Sequence, residues 1–337
     1  MSLVDKKQEV WTLAEVRDGK IHPVSHELLA WGRTLADARG TLLASLVLGH
    51  NITDQANELI AHGADIVYVV DAPEMEPFYV DSYTRVLKEL VEKYQPEILI
   101  ASATTQGRTV MPTLSAAVNT GLTADCTGLA IEEKTGLLVQ TRPAIGGNVM
   151  ADIKTPEHRP QMCTVRPKSK RPLPVDPSRK GEVIRHTPAS NAMASLLERL
   201  QFVREKSVGL PIQEAEVIVA GGKGMKGEKN FRLLEELATL LGGSVGASRN
   251  AVDLGWAPYS AQVGLSGKAV TPQIYIACGI SGAVQHIAGM SGSGAVIAIN
   301  SDPEAPIFRT ADLGIIGDVQ EVLPQLIDMI KTKGGAR

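Results

Sequence analysis

Cysteine is scarce in this sequence, with three residues in 337, at Cys126, Cys163 and Cys278. They lie far apart and none belongs to a CxxC pair. An odd and sparse set excludes a disulfide framework or a cysteine-ligated metal cluster, and it is typical of a reducing cytoplasm. The first ten residues carry charges where a signal peptide needs an apolar core. We therefore expect a cytoplasmic protein without a metal.

The sequence also lacks an excess of charge of either sign. Lys and Arg total 34 against 37 Asp and Glu, a formal charge of -3, whereas nucleic-acid binders usually carry a strong basic excess. One stretch, 269–301, has no charged residue, but Gln285, His286, Asn300 and several glycines interrupt it. Two buried strands flanking a glycine-rich turn explain it better than a membrane span. We expect neither a nucleic-acid partner nor a membrane span.

The length favours two domains. In the first half, β-branched runs alternate with amphipathic helical patterns, which predicts a parallel sheet covered by helices on both faces. The predicted strands are Glu9–Val16, Thr41–Gly49, Asp65–Asp71 and Glu97–Thr104, and the predicted helices are Ser25–Ala38, Thr53–His62 and Ser82–Tyr94. From about Gly128 to Val165 the pattern indicates further strands without helices between them, which we interpret as antiparallel additions.

A proline-rich segment, 156–180, follows. It holds six prolines and several basic residues. Because proline sustains neither a helix nor a central strand, we interpret the segment as an extended crossing whose charges are solvated. We expect an N-terminal α/β domain over 1–205 and a C-terminal domain over 206–337.

The second domain has the pattern of another α/β unit. Its predicted strands are Glu216–Gly221, Ile274–Ile280, Ala295–Asn300 and Leu313–Asp318, and its last helix is Gln320–Lys331. Each strand ends in a short polar or glycine-bearing segment, and ligands of open α/β sheets bind at that edge. Tight βα turns also require glycine, and for a single loop that explanation is the better one. Four such loops on one edge predict a nucleotide site, although neither GxGxxG nor GKS/GKT follows a strand.

Several longer motifs in the sequence resemble those of a known protein family. The segment IYIACGISGAVQHIAGMSGSGAVIAIN (Ile274–Asn300) resembles the signature segment of electron-transfer flavoprotein α-subunits. The similarity continues in VIVAGGKGM, GGSVGASRNAVD, QVGLSGK, DPEAPIF and LGIIGDV, and more loosely in GLTADCTGL and TRPAIGGNVMA of the first domain. It implies that the second domain is doubly wound, binds FAD, and resembles the nicotinamide-binding domains of deoxyhypusine synthase and transhydrogenase.

The resemblance also implies a set of FAD-binding residues. Ser248 and Arg249 lie against the flavin and its chain; Val263, Gly264, Leu265 and Ser266 form the loop along the ring; Ser281, Gly282, Ala283, Val284, Gln285 and His286 contact the flavin and the ribityl-phosphate region; Asn300 and Asp318 hold the adenosine end. Val319, next to Asp318, is a further cofactor-binding residue. In the family's glycine loop after the first strand, Lys223 stands where arginine is usual, which keeps the charge but loses the bidentate fork. Leu265-Ser266 stands where Gln-Thr is usual, so the hydroxyl that reaches flavin N5 is retained but an amide contact is lost.

The residue types suit flavin chemistry. Reduction can leave negative charge at the N1–C2=O edge of the ring, where a cation or a hydrogen-bond donor raises the potential. Arg249 and His286 are the candidates. His22 and His26 have a metal-like spacing, but Pro23 separates them and no third ligand is evident.

The first-domain motifs look more like those of anaerobic bacteria. In those relatives the protein pairs with a β-subunit that carries a second FAD or AMP. The heterodimer oxidises NADH and, with an acyl-CoA dehydrogenase, bifurcates electrons to ferredoxin or flavodoxin. The resemblance thus implies an electron carrier subunit rather than an enzyme by itself. The alternatives are an NAD-dependent enzyme or a nucleotide-binding regulatory protein with the same C-terminal fold.

Overall fold

The computed structural model describes residues 8–144, 149–203 and 211–334. The chain divides into two compact units, Met1–Phe202 and Val203–Arg337. Within the described ranges, no helix has the length and apolar character needed to cross a membrane.

The first unit is a mixed α/β unit. Its strands are β1 (Val10–Leu13), β2 (Val16–Arg17), β3 (Lys20–Ile21), β4 (Leu43–Gly49), β5 (Ile66–Asp71), β6 (Ile98–Ser102), β7 (Leu122–Cys126), β8 (Gly128–Ile131), β9 (Leu138–Pro143), β10 (Met150–Ile153), β11 (Gln161–Val165) and β12 (Glu182–Arg185). Its α-helices are α1 (Val24–Arg39), α2 (Ala56–Ala61), α3 (Val80–Tyr94), α4 (Thr105–Ala117) and α5 (Ser190–Met193).

Seven strands of this unit form a parallel sheet in the order β12-β5-β4-β1-β6-β11-β7. The central strands are buried throughout because their alternating side chains feed a core on each face. Val10 and Val47 pack with α1 and α2 on one face, and Trp11 and Leu46 pack with α3 and α4 on the other. The predicted parallel sheet with helices on both faces is confirmed.

The expected antiparallel additions are confirmed only in part. Strands β8, β9 and β10 form an antiparallel sheet, but Gln161–Val165 runs parallel between β6 and β7 inside the main sheet. The proline-rich segment therefore does contain a central strand, and the prediction that it could not was wrong. Pro160 and Pro167 lie on either side of this strand, so its five buried residues keep the amides that pair with the neighbouring strands.

The remainder of that segment is bound to the first unit. Trp31 of α1 donates from Nε1 to Ser169 Oγ at 3.1 Å, and the Lys170 ammonium lies 4.3 Å from the centre of the Trp31 ring. Arg179 makes an ion pair of 2.6 Å with Asp65. Lys170 and Arg179 are therefore partly exposed but fixed to the first unit by these contacts.

The second unit is a doubly wound α/β unit. Its strands are β13 (Val217–Gly221), β14 (Ser244–Ala247), β15 (Ile274–Cys278), β16 (Ala295–Asn300) and β17 (Leu313–Ile316), and its α-helices are α6 (Phe231–Leu240), α7 (Arg249–Asp253), α8 (Val284–Met290) and α9 (Val319–Gly334). All neighbouring strands are parallel, in the order β14-β13-β15-β16-β17. Leu234 of α6 and Leu323 of α9 pack on one face, and Met290 of α8 packs on the other.

Two buried strands of the second unit account for the charge-free stretch 269–301. These are β15 and β16, and the short helix α8 lies between them in the chain. Both predicted strands are confirmed, and the glycine-rich turn after the first of them leads into α8.

Candidate functional site

A cleft opens at the point where the strand order of the second unit reverses. From β13 the chain crosses to β14 on one side, and from β15 it proceeds to β16 on the other. The crevice at such a point, beyond the carboxyl ends of the strands, is where open α/β sheets bind ligands. The cleft has a volume of about 900 Å³, within the range of small-molecule and cofactor sites, roughly 300–1,000 Å³. Its lining residues are Lys223, Gly224, Lys226, Ser248, Arg249, Asn250, Asp253, Val263, Gly264, Leu265, Ser266, Gly279, Ile280, Ser281, Ala283, Gln285, His286, Asn300, Asp302, Ala305 and Pro306.

Bare glycine backbone forms the floor of the crevice. The Gly224 amide donates to the Gly279 carbonyl at 2.9 Å. A Cβ atom on Gly222 would lie 2.3 Å from the Gly279 carbonyl oxygen, and one on Gly279 would lie 2.7 Å from Gly224 Cα. The loops after β13 and β15 thus meet backbone to backbone, which any side chain would prevent. The main chain of Gly224 and Gly279 therefore lines the cleft without side chains.

The loop 262–268 forms one wall and is attached to α8. The Leu265 amide donates to the Gln285 carbonyl at 2.9 Å, and a Cβ atom on Gly289 would lie 2.5 Å from Gly264 Cα. Gln262 donates from Nε2 to Ser266 Oγ at 3.0 Å. The Ser266 hydroxyl is therefore held in place, while the Leu265 side chain is 70% exposed.

At the end of β14, Ser248 and Arg249 have different roles. The Ser248 hydroxyl accepts from the Ala251 amide at 3.4 Å and so caps α7, as serine often does before a helix. The Arg249 guanidinium is 69% exposed and lies 3.3 Å from Asp253. An exposed pair of this kind contributes little to stability, so the guanidinium is available to a ligand in the cleft.

His286 is buried and uncharged at neutral pH. Its Nε2 atom lies 3.0 Å from the Tyr275 hydroxyl. Burial lowers the pKa of the imidazole to about 4, and an interaction with the backbone of Val263 opposes the shift only partly. His286 therefore serves as a neutral hydrogen-bonding group, not as the cation that it could be at its ordinary pKa.

The predicted adenosine end is only partly in the cleft. Asn300 lines it and connects two loops, since its Nδ2 atom donates to the Ile280 carbonyl at 3.0 Å and its Oδ1 atom accepts from the Asp302 amide at 3.0 Å. Asp318 instead pairs with Lys226 at 2.6 Å, which lowers the pKa of its carboxyl, and it accepts from the Gln320 amide at the start of α9.

Four of the predicted residues do not line the cleft: Gly282, Val284, Asp318 and Val319. Gly282 has a φ of +87° and packs against the backbone of Ile307. Val284 is 69% exposed, and Val319 is part of the hydrophobic core. The cleft brings the other predicted residues together.

Several lining residues were missed by the sequence analysis: Gly224, Lys226, Asn250, Asp253, Gly279, Ile280, Asp302, Ala305 and Pro306. All of them lie in or directly beside the motifs quoted above. The loops could be recognised from glycine and family pattern. Which side chain of a loop faces the crevice depends on the local backbone conformation, and no pattern reports it.

Comparison with known proteins agrees with this geometry. Residues 10–191 match the model of the electron transfer flavoprotein domain, and residues 211–291 match that of the electron transfer flavoprotein FAD-binding domain. The chain belongs to the electron transfer flavoprotein family. It is an α-subunit of that family, and its cofactor is FAD.

Relatives of this electron transfer flavoprotein subunit match along most of its length. The electron transfer flavoprotein subunit alpha of Thermoanaerobacterium thermosaccharolyticum is 47% identical, over 96% of this chain and 98% of the relative. That of Megasphaera elsdenii is 44% identical, over 97% of both. A third, named lactate dehydrogenase (NAD(+),ferredoxin) subunit LctC, from Acetobacterium woodii, is 43% identical, over 93% of this chain and 75% of the relative.

The residues of this electron transfer flavoprotein subunit fit FAD. Its glycine floor admits a diphosphate close to the main chain, and Lys223, which is exposed at the rim, can attract that anion. The buried Nδ1 atom of His286 has no hydrogen-bond partner among the residues that the structure describes, and a ligand commonly satisfies such a group. No group of three or more His, Cys, Asp or Glu side chains in the described ranges could hold a metal ion.

Proposed function

We propose that this subunit holds FAD in the cleft of its second unit and exchanges electrons with partner proteins as half of a heterodimer with a smaller, homologous β-subunit. The observation that carries the proposal is the position of the cleft. It lies at the reversal of strand order, within the residues that match an FAD-binding domain, and has glycine backbone at its floor.

Each part of the cleft has a role in this proposal. The loop after β15 leads into α8, whose first backbone amides favour the diphosphate anion, and Lys223 and Lys226 add positive charge. The loop from Val263 to Ser266 lies along the flavin, with the Ser266 hydroxyl already oriented by Gln262. When bound, FAD supplies the capacity to accept and release one or two electrons.

The chain's own side chains set how readily FAD is reduced. The Arg249 guanidinium contributes a fixed positive charge, and His286 contributes a neutral donor. Both favour negative charge on the ring, because donors oriented in advance in a site with little water stabilise charge more than water does. Positioning and electrostatics are the contribution of the protein, and the redox chemistry belongs to the cofactor.

The first test is the flavin content of the complex. Co-expression with its β-subunit should give a 1:1 heterodimer with the absorption spectrum of a flavin and with FAD bound to this chain. A correctly folded heterodimer that stays colourless after incubation with FAD, or one that binds NAD there instead, would refute the proposal and favour an NAD-dependent enzyme or a regulatory protein.

We further propose that the cytoplasmic heterodimer bifurcates electrons. Its β-subunit would hold a second FAD (or AMP, in a heterodimer that does not bifurcate), and NADH would reduce an acyl-CoA dehydrogenase and ferredoxin or flavodoxin. The similarity to a subunit named for NAD(+) and ferredoxin supports a low-potential acceptor. In this account the subunit acts as an enzyme only within the complex.

The decisive assay mixes the heterodimer with NADH, ferredoxin, an acyl-CoA dehydrogenase and its enoyl-CoA substrate. Ferredoxin should be reduced only when both the dehydrogenase and the enoyl-CoA are present. NADH oxidation without any ferredoxin or flavodoxin reduction would refute bifurcation and leave simple electron transfer.

A further inference from the structure

Tyr275 contacts the candidate flavin site only through another residue. It lies in β15, is fully buried, and does not line the cleft. Its hydroxyl is 3.0 Å from Nε2 of His286, which does line it. The two rings are 6.0 Å apart at their centres and inclined by 62°. A buried hydrogen bond between a strand and the helix beside it holds the imidazole in one orientation.

The direction of this hydrogen bond follows from the partners that are available. Among the described residues, the Tyr275 hydroxyl has no other hydrogen-bond partner than His286 Nε2. If Nε2 carried the proton and donated it, the hydroxyl hydrogen would be buried without an acceptor, which is costly. If the hydroxyl donates instead, both its hydrogen and the Nε2 lone pair are satisfied. A neutral histidine that accepts at Nε2 must carry its proton on Nδ1.

The surroundings of the ring favour the same assignment. Nδ1 is shielded from solvent, so a proton on it requires an acceptor in the protein or on a ligand. The backbone of Val263, in the loop that packs against α8, favours the protonated ring, which indicates an acceptor near it. The ionisable group next to Tyr275 is Cys278, whose pKa burial raises to about 12, so it is an uncharged thiol. No negative side chain is among the causes that shift the imidazole pKa.

We propose that Tyr275 is a positioning residue that keeps His286 neutral with its proton on Nδ1, so that the imidazole holds one oriented N–H and adds no positive charge to the FAD site. The inference rests on the proposed placement of FAD in this cleft. It concerns how His286 is held, and Tyr275 itself touches no reacting atom.

Nitrogen NMR of the FAD-loaded heterodimer, labelled with ¹⁵N in its histidines, tests the proposal directly. At pH 7 the His286 ring should give the shifts of a neutral ring with the proton on Nδ1. In Tyr275→Phe the Nε2 tautomer should become populated, and the imidazole should titrate at a higher pH, because the hydrogen bond that stabilises its neutral form is lost. A wild-type ring protonated on Nε2, a charged ring at pH 7, or an unchanged tautomer in the variant would overturn the proposal.

The flavin potential provides a second readout. As the pH falls below 7, Tyr275→Phe should raise the midpoint potential of the FAD in this chain relative to the wild type, because the imidazole of the variant becomes partly charged. The matched control is Tyr83→Phe, which removes a buried hydroxyl that donates to backbone carbonyls of the first unit and should leave the potential unchanged. An unchanged potential in Tyr275→Phe would contradict the positioning role.

The binding of FAD and the pairing of Tyr275 with His286 can be tested separately. If Tyr275→Phe does not fold, the wild-type tautomer alone decides the assignment. If the heterodimer binds no FAD, the proposed function fails at the absorption spectrum, while the tautomer of the flavin-free protein still tests the pairing of Tyr275 with His286.

Discussion

The amide of Gly224 donates to the carbonyl of Gly279 across 2.9 Å and joins the loops that follow the two central strands of the second unit. This contact exists because neither residue has a side chain, and it gives the cleft a floor of main chain. Positive φ alone does not explain the glycine at 279, since the space for a Cβ atom is also missing.

Gly279→Ala should therefore abolish FAD binding and destabilise the protein. The added methyl group would lie 2.7 Å from the backbone of Gly224, and such strain costs roughly 1–3 kcal/mol or more. Gly242→Ala is the matched control. Its φ of +65° is close to the +61° of Gly279, but nothing lies within 4 Å of the added atom. Flavin content and denaturant unfolding of both variants distinguish the steric clash at Gly279 from the cost of a positive φ, which the two variants share. Equal losses of stability in the two variants would contradict the packing argument.

Lys226, not Asp318, should matter for FAD affinity. Lys226 lines the cleft, whereas Asp318 is bound to it at 2.6 Å and lies outside. Lys226→Ala should weaken FAD binding several-fold through loss of a cation near the diphosphate. Asp318→Asn should leave binding unchanged or tighten it, because it releases the Lys226 charge. Lys331→Ala, which breaks a similar exposed pair with Glu236, is the control. Titration with FAD measures the affinity of each variant, and a large loss in Asp318→Asn would support the predicted contact of Asp318 with the adenosine end.

Arg249→Ala should make the flavin harder to reduce. The variant removes a fixed charge from the cleft, so the midpoint potential should fall by on the order of tens of millivolts across neutral pH. Arg249→Lys should retain much of the effect, and Arg232→Ala, on the exposed face of α6, should have none. Stepwise redox titration of the heterodimer gives the answer. An unchanged potential in Arg249→Ala would show that the guanidinium does not face the flavin.

His286 should make folding pH dependent. Its pKa is about 4 in the fold against 6.5 for an exposed histidine, so the unfolded chain binds the additional proton between these values. Stability is then complete above pH 6.5 and falls as the pH drops towards 4, by about 3 kcal/mol in all. In denaturant unfolding of the flavin-free heterodimer, His286→Asn should make this slope shallower, with His26 and His186, whose pKa values burial also lowers, keeping part of it. The exposed His158→Asn should leave the slope as it is in the wild type. An unchanged slope in His286→Asn would contradict a buried neutral imidazole.

The low pKa of His286 also determines how the effect of His286→Ala on the flavin potential depends on pH. If the imidazole of His286 were protonated near pH 6, the effect of His286→Ala on the potential would increase as the pH falls. Because the ring is neutral down to about pH 4, the effect should be the same from pH 5.5 to 8.

The sequence predicted the central strands and the glycine loops well, because both leave local patterns. Continuous apolar runs such as Ile274–Cys278 indicate a strand buried on both faces, and glycine clusters mark the sheet edge. The strand Gln161–Val165 was missed because the prolines on either side of it outweighed a short apolar run. Its partners lie 63 residues earlier, in β6, and 40 residues earlier, in β7. The pairs Lys226–Asp318 and Tyr275–His286 depend on which way side chains face, and no periodicity encodes that.

The flavin content of one pair of heterodimers tests the central claim most directly. Gly222→Val would place a side chain 2.3 Å from the Gly279 carbonyl oxygen, whereas Gly227→Val adds one where nothing lies within 4 Å. If the cleft holds FAD, the wild type and Gly227→Val should each carry one FAD on this chain, and Gly222→Val should lose it while remaining paired with the β-subunit. A Gly222→Val heterodimer that retains that FAD, or a folded wild type without it, would contradict the account.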